Sequence, residues 1–212
     1  MNARSAISAI DKHGALLVYP INNRKEPASL WSVFYPRTQM RWEWDDEGDS
    51  RVADLWHLKT ELSSSRKVVY AKWYQGRATF FSREVFTWVL AALGAPIAGR
   101  AMSGETRQIL ELLEQDSPLS TKQLKAATEL RGRALEGIYS RALKALWQKG
   151  LIVGFGEVDD GAFPSLAVGA TQVIFEDLWA EARELGQTEA WGALEQKLGT
   201  KSLFLKQLKK SA

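Results

Sequence analysis

A set of cationic, amide and glycine residues in the second half of the chain has the spacing of one helix face. Steps of four and three residues through a predicted helix, from about Arg133 to Lys149, collect Arg133, Gly137, Arg141, Lys144 and Gln148. Guanidinium and ammonium groups bind phosphates, amides bind base edges, and a glycine permits close approach. This face is the first candidate for contact with DNA. The alternative is an ordinary polar helix surface, and Glu136 is the one acid beside it.

A predicted hairpin in the first half is the second candidate. Two β-rich runs, Val68–Tyr74 and Arg77–Phe81, are separated by Gln75-Gly76, which is typical of a tight turn. Strict alternation places three side chains with nucleic-acid-binding chemistry on one face, namely Tyr70, Lys72 and Tyr74, and two further cations follow, Arg77 and Arg83. Such a face suits backbone contact and base stacking. The alternative is that the aromatic pairs only stabilise the sheet.

One segment combines carboxylates with tryptophans and is the candidate for catalysis. In Arg41–Asp46, Glu43 and Asp45 alternate with indole rings, which could raise a carboxyl pKa into a useful range. Clustered acids can also hold a divalent cation. The alternative to a catalytic or metal-binding role is a solvated turn flanked by aromatic side chains that pack. With only two histidines, far apart, the sequence predicts no metal site, and it contains no cofactor-binding motif.

Composition limits the class of protein. The 212 residues contain no cysteine, so a disulfide scaffold, thiol catalysis and thiolate metal sites are excluded. No apolar stretch has the length of a membrane span, and the first residues lack the pattern of a signal peptide, so we expect a cytoplasmic protein without membrane contact. The net charge is only +3, but bases concentrate in two islands, Arg66–Arg83 and Leu119–Gly150. Acids concentrate elsewhere, and those of Glu157–Asp160 count against DNA contact by a second hairpin.

The elements that must position these residues are predicted from periodicity and caps. The first half reads as a strand at Ala15–Tyr19, a loop over Ile21–Pro36, a helix over Arg51–Leu62, the hairpin, and a helix capped by Ser82. The second half reads as helices over Glu105–Gln115, Thr121–Glu129 and Arg133–Lys149, strands over Leu151–Glu157 and Phe163–Val168, and a helix over Gln172–Glu184. Three helices followed by a hairpin is the order of a winged helix-turn-helix.

The predicted fold class is therefore α+β. The expected organisation is an N-terminal α+β, winged-helix-like region over residues 1–94, a linker over 95–104, a winged helix-turn-helix over 105–170, and C-terminal helices packed on the core over 171–212. Six of the nine tryptophans lie in the first half: Trp31, Trp42, Trp44, Trp56, Trp73 and Trp88. That density favours a core role, with a groove or partner surface as the alternative.

The chain also resembles a known family. The motifs that carry the resemblance are Ala71–Arg77, Arg133–Glu136, Ala145–Trp147 and Gly154–Pro164. They are similar to bacterial proteins related to the winged-helix alkylpurine and crosslink DNA glycosylases, and the similarity covers most of the chain. The resemblance implies tandem winged helices around a DNA-binding channel. Those glycosylases position the attacking water with Gln-x-Gln or Gln-x-Asp, and neither pattern occurs here.

Three hypotheses follow. The first is a non-catalytic protein that binds double-stranded DNA through the predicted third helix, with support from the hairpin cations. The second is a glycosylase-like enzyme on damaged DNA, in which Glu43 or Asp45 activates water on a base extruded from the stack. The third is a protein-interaction module that docks a partner or self-associates. DNA affinity and abasic-site formation separate the three.

Overall fold

The computed structural model describes residues 1–42, 49–96, 102–130, 132, 134–158 and 164–212. Within these residues the protein is α+β, with helices on both faces of one antiparallel sheet. The first half contains α1 (Ala3–His13), β1 (Ala15–Leu17), α2 (Leu30–Phe34), α3 (Ser50–Ser64), β2 (Val68–Tyr74), β3 (Arg77–Ser82) and α4 (Arg83–Ala92). The second half contains α5 (Gly104–Gln115), β4 (Leu119–Ser120), α6 (Thr121–Ala127), α7 (Glu136–Gln148), β5 (Ile152–Val158) and β6 (Ser165–Ala170), followed by α8 (Thr171–Ile174), α9 (Glu176–Glu184), α10 (Gln187–Leu198) and α11 (Leu203–Ser211).

The same element order occurs twice. Residues 3–82 (the N-terminal repeat) and 104–170 (the C-terminal repeat) each run helix, strand, helix, helix, strand, strand. In each repeat the first strand pairs antiparallel with the third. The strand order of the whole sheet is β1-β3-β2-β5-β6-β4, so the second strands of the two repeats meet at its centre. From the edge to the centre, each half of the sheet contains the first, the third and then the second strand of its repeat.

The central contact depends on a glycine. Gly154 of β5 is the register partner of Tyr70 of β2, and both are buried. A Cβ atom on residue 154 would lie 2.3 Å from Cδ1 of the Tyr70 ring, far inside van der Waals contact. Only glycine therefore lets the two repeats approach so closely at this position.

Equivalent serines begin the second helix of each repeat. Ser29 caps α2 by accepting a hydrogen bond from the backbone N–H of Ser32 at 3.0 Å, and Ser120 caps α6 by accepting one from Gln123 at 3.0 Å. Both serines are fully buried, and each cap is a reciprocal capping box. The caps satisfy helix N–H groups that would otherwise be buried without partners, which fixes the start of each helix.

Two hydrophobic cores lie on opposite faces of the sheet. Successive residues of β2 alternate between them: Val68 and Tyr70 belong to the core covered by α1, α2 and α3, whereas Val69 and Trp73 belong to the larger core. The larger core takes in residues of α4, α5, α7, α9, α10 and α11, together with Ala95 and the partly buried Met102 of the predicted linker. Helices α3 and α7, the third helices of the two repeats, are thus on opposite faces.

The structure corrects three details of the predicted elements. The predicted loop over residues 21–36 contains α2, a five-residue helix too short to show a period in the sequence. The single helix predicted over Gln172–Glu184 is two helices, because Phe175, with φ −127° and ψ 57°, leaves the helical region while its side chain is buried. Helix α7 begins at Glu136, later than predicted. No helix in the described part of the chain is long and apolar enough to cross a membrane.

Candidate nucleic-acid interface

Four of the five residues that the sequence predicts on one DNA-contacting helix face lie on α7, namely Gly137, Arg141, Lys144 and Gln148. The buried face of this helix is formed by Tyr139, Ala142, Leu146 and Trp147. On the other side Gly137, Arg141 and Lys144 are exposed, and Gln148 is half-buried. Arg133 lies outside the described residues. The structure therefore places two cations and a glycine together on one solvent-facing surface, which we call the α7 face.

Two hydrogen bonds from aromatic side chains hold α7 in place. The hydroxyl of Tyr139 donates to the carbonyl oxygen of Thr121 at 3.1 Å, which joins α7 to the start of α6. The indole Nε1–H of Trp73 donates to the carbonyl oxygen of Gln148 at 3.2 Å, which joins the end of α7 to β2 of the other repeat. These two bonds tie α7 to α6 near its start and to β2 at its end, so its exposed side chains project from a fixed backbone.

The acid beside the α7 face is neutralised within the protein. The ammonium of Lys125 in α6 donates to both carboxylate oxygens of Glu136 at 2.7 Å. Both side chains are partly exposed, so the pair is a surface ion pair of modest strength. The pair contributes little to stability, but the positive charge of Lys125 offsets the negative charge of Glu136 beside the α7 face.

A groove of about 490 Å³ runs between α5 and α7 at the edge of the α7 face. Arg141 and Lys149 line it on one side, and Ser103, Glu105 and Thr106 line the other. Hydrogen bonds from its own backbone N–H and from Ser103, together with the charge of Arg141, lower the pKa of Glu105. The carboxylate of Glu105 is therefore an anionic neighbour of Arg141, and a phosphate would compete with it for the guanidinium.

The side chain of Arg141 lies along its own helix. A Cβ atom on Gly137, one turn earlier, would lie 3.4 Å from Nη1 of Arg141. The glycine leaves the space that this conformation uses. The sequence prediction assigned Gly137 a role in close approach of DNA; in the structure it leaves room for the Arg141 guanidinium, and the role toward DNA stays a prediction.

The predicted stacking face of the hairpin is wrong. Tyr70 and Tyr74 are 3% and 6% exposed, and their rings pack against Phe80 and Phe204 with centroids 5.3 Å apart in each pair. The register shifts between Lys72 and Tyr74, so the alternation assumed from the sequence breaks at that point. Neither tyrosine is available to stack on a base.

The hairpin cations are not part of the α7 face. Lys72 is exposed on the α3 side of the sheet, where partial burial and the charge of Lys59 lower its pKa. Arg77 is exposed beside the Gln75-Gly76 turn. Arg83 forms an ion pair with Asp177 of α9 and donates to the carbonyl oxygen of Arg66 at 2.7 Å. The residues predicted as one DNA-binding set thus divide among separate surfaces.

The predicted catalytic residues, Glu43 and Asp45, lie outside the described residues, and their roles stay predictions. Trp42, which precedes them, is 50% exposed, and its ring contacts that of Tyr19 with centroids 4.7 Å apart. The acids Asp159 and Asp160 of the second hairpin also lie outside the described residues.

Sequence reasoning missed a buried ion pair between the repeats. Nζ of Lys59 in α3 lies 2.6 Å from Oε1 of Glu157 in β5, and both side chains are about nine-tenths buried. The same ammonium lies 3.9 Å from the centre of the Trp56 ring. The partners are 98 residues apart, so no local pattern could have revealed the pair. Glu157, read from the sequence as one of three acids of the second hairpin, has its charge balanced here.

Comparison with known families agrees with the resemblance carried by the motifs. A family model described as AlkZ related matches residues 1–209. The chain belongs to the AlkZ-related family. That membership links it to DNA repair. Neither the curated proteins nor the solved structures give a match to the chain.

Proposed function

We propose that the protein binds double-stranded DNA through the C-terminal repeat. In this proposal each repeat is a winged helix: the element order and the pairing of the first strand with the third are those of that fold. Helix α7 is then the recognition helix, and the α7 face enters the major groove. Membership of the AlkZ-related family, with its link to DNA repair, supports a DNA partner.

The observation that carries the proposal is the charge of the α7 face. Arg141 and Lys144 are exposed one turn apart on a helix anchored at both ends, and the adjacent acid, Glu136, is paired with Lys125. The corresponding helix of the N-terminal repeat differs, because α3 exposes Asp54 and Glu61. Exposed carboxylates would repel phosphates, so the proposal assigns duplex contact to α7 and not to α3.

Binding of a labelled duplex, followed by fluorescence anisotropy, tests this assignment. Arg141→Ala with Lys144→Ala should weaken binding about equally for all duplex sequences, because the lost contacts are to phosphates. The control is Lys206→Ala with Lys210→Ala, which removes the same charge from exposed positions on α11. Equal affinity of the two double variants would contradict the proposal, because net charge alone would then explain the binding.

Family membership also favours a second candidate, hydrolysis of the glycosidic bond of a damaged base. Here Glu43 or Asp45 would activate the attacking water, as the sequence predicts. The test is formation of abasic sites in alkylated duplex DNA by the wild-type protein and by the variant with Glu43→Gln and Asp45→Asn. Activity that is lost in this variant while duplex binding is retained supports the candidate; activity retained in the variant removes these two roles.

A further inference from the structure

The hairpin formed by β2 and β3 lies beside the carboxyl end of α7, although the two belong to different repeats. Strands β2 and β5 are antiparallel, with Tyr70 opposite Gly154. Tyr74, at the end of β2, therefore lies toward the start of β5, which follows α7 in the chain. The hydrogen bond from Nε1 of Trp73 to the carbonyl oxygen of Gln148 joins the same two ends. The strand register and this hydrogen bond thus agree on the position of the hairpin turn.

Arg77, which follows that turn, is on the same side of the sheet as α7. Phe81 of β3 belongs to the larger core, which includes α7, whereas Phe80 belongs to the core on the α3 side. Side chains alternate along a strand, so Arg77, four residues before Phe81, projects to the α7 side. The ring of Trp73 contacts Phe81 with centroids 5.4 Å apart, so the indole that reaches α7 is on this side as well.

The backbone of Arg77 is fixed, and its side chain is exposed. The hydroxyl of Thr79 donates to the carbonyl oxygen of Arg77 at 2.9 Å and accepts from the N–H of Tyr74 at 3.3 Å. Arg77 forms no ion pair with any residue that the structure describes. A Cβ atom on the preceding Gly76 would meet no atom within 4 Å apart from its chain neighbours, so the turn projects from the described part of the protein.

The hairpin of the C-terminal repeat itself is bound to the other repeat. The backbone N–H of Gly156 in β5 donates to the hydroxyl of Ser63 in α3 at 3.2 Å, and the next residue, Glu157, forms the buried ion pair with Lys59. Each repeat thus places one strand of its hairpin against the third helix of the other repeat. The hairpin beside the end of α7 is consequently that of the N-terminal repeat.

We propose that the β2–β3 hairpin acts as the wing of α7, and that Arg77 contacts a backbone phosphate of the duplex bound by the α7 face. This rests on the proposed function, because it takes α7 as the helix in the major groove. The 13 residues of α7 span about 20 Å and the groove is about 12 Å wide, so a helix lying across the groove extends past its edge. A guanidinium at that end can donate two hydrogen bonds to one phosphate, which fixes the position of the protein on DNA.

The test is the salt dependence of duplex binding by the full chain, followed by fluorescence anisotropy. Arg77→Ala should make the slope of log K against log salt concentration shallower by about 0.9, the value for one phosphate contact. Arg77→Lys keeps the charge and should keep most of the slope. The matched control is Lys72→Ala, because Lys72 is an exposed cation of the same hairpin on the α3 side of the sheet. Its slope should equal that of the wild-type protein.

The variant with Arg141→Ala and Lys144→Ala separates this proposal from the proposed function. A slope that is unchanged in Arg77→Ala but shallower in the double variant would overturn the hairpin contact and leave duplex binding by α7 in place. Equal changes in Arg77→Ala and Lys72→Ala would also overturn it, because net charge alone would then explain them. An unchanged slope in the double variant, or no duplex binding by the wild-type protein, would contradict the proposed function, and the hairpin contact would fail with it.

Discussion

Nζ of Lys59 lies 2.6 Å from Oε1 of Glu157, which ties the third helix of the N-terminal repeat to the second strand of the C-terminal repeat. The Trp73–Gln148 hydrogen bond makes the reciprocal connection, from the second strand of the N-terminal repeat to the third helix of the other. The two repeats therefore stabilise each other through polar contacts as well as through the shared sheet.

Breaking the Lys59–Glu157 pair should destabilise the fold strongly. Glu157→Gln leaves the ammonium of Lys59 buried without a counter-charge, which typically costs roughly 3–5 kcal/mol of unfolding free energy. We expect the lower end, since about a tenth of each side chain is exposed. Urea denaturation measures the loss.

The matched control for that variant is Glu195→Gln. Its partner Lys209 is at 2.8 Å, but both side chains are about half exposed, so the cost should stay below about 1 kcal/mol. Replacing both buried partners, Lys59→Met with Glu157→Leu, should restore much of the stability lost in Glu157→Gln. Equal effects of Glu157→Gln and Glu195→Gln would show that the pair is not buried as described.

Gly154→Ala should separate the two repeats at the centre of the sheet. The added Cβ would lie 2.3 Å from the ring of Tyr70, which is enclosed in the core and has no room to move away. Overpacking of this kind costs typically 1–3 kcal/mol or more. Thermal unfolding should show a clearly lower Tm.

A glycine without such a neighbour is the control. Gly192 lies within α10, and a Cβ placed there would meet no atom within 4 Å apart from its chain neighbours and the backbone of its own helix. Gly192→Ala should raise the stability by roughly 0.5–1 kcal/mol, because alanine is the better helix former. If Gly154→Ala also stabilised the protein, the close approach of β2 and β5 would be wrong.

Glu105→Gln should strengthen duplex binding a few-fold. The carboxylate faces Arg141 across the groove between α5 and α7, and its lowered pKa keeps it charged near neutral pH. Removing it frees the guanidinium for phosphate. Glu111→Gln on the same helix changes the net charge equally and serves as the control; anisotropy at moderate salt compares the two. Identical affinities would mean that Arg141 is not at the interface.

Local patterns in the sequence predicted much of the fold. Ser82 caps α4 by accepting from the N–H of Val85, and Gly150, with φ +67°, follows the end of α7, both as predicted. Each of these features depends on residues a few positions apart in the chain, so it can be predicted from the local sequence. The apolar periodicity of α3, α5 and α7 was equally informative, because each helix buries one face.

Contacts between residues far apart in the chain could not be predicted from local sequence patterns. The alternation of β2 failed at Tyr74 because a register shift turns its ring toward Phe204, 130 positions away along the chain. The pairing of β2 with β5 and the burial of Lys59 likewise depend on the other repeat. Consequently the sequence grouped Lys72 with Arg141, whereas the sheet separates them.

The salt dependence of duplex binding tests the central claim, that the α7 face contacts DNA phosphates, most directly. A plot of log K against log salt concentration has a slope of about −0.9 for each phosphate contact on duplex DNA. If Arg141 and Lys144 each contact a phosphate, the double alanine variant should have a slope shallower by about 2 × 0.9. A slope equal to that of the wild-type protein, or no duplex binding by the wild-type protein at low salt, would contradict the account.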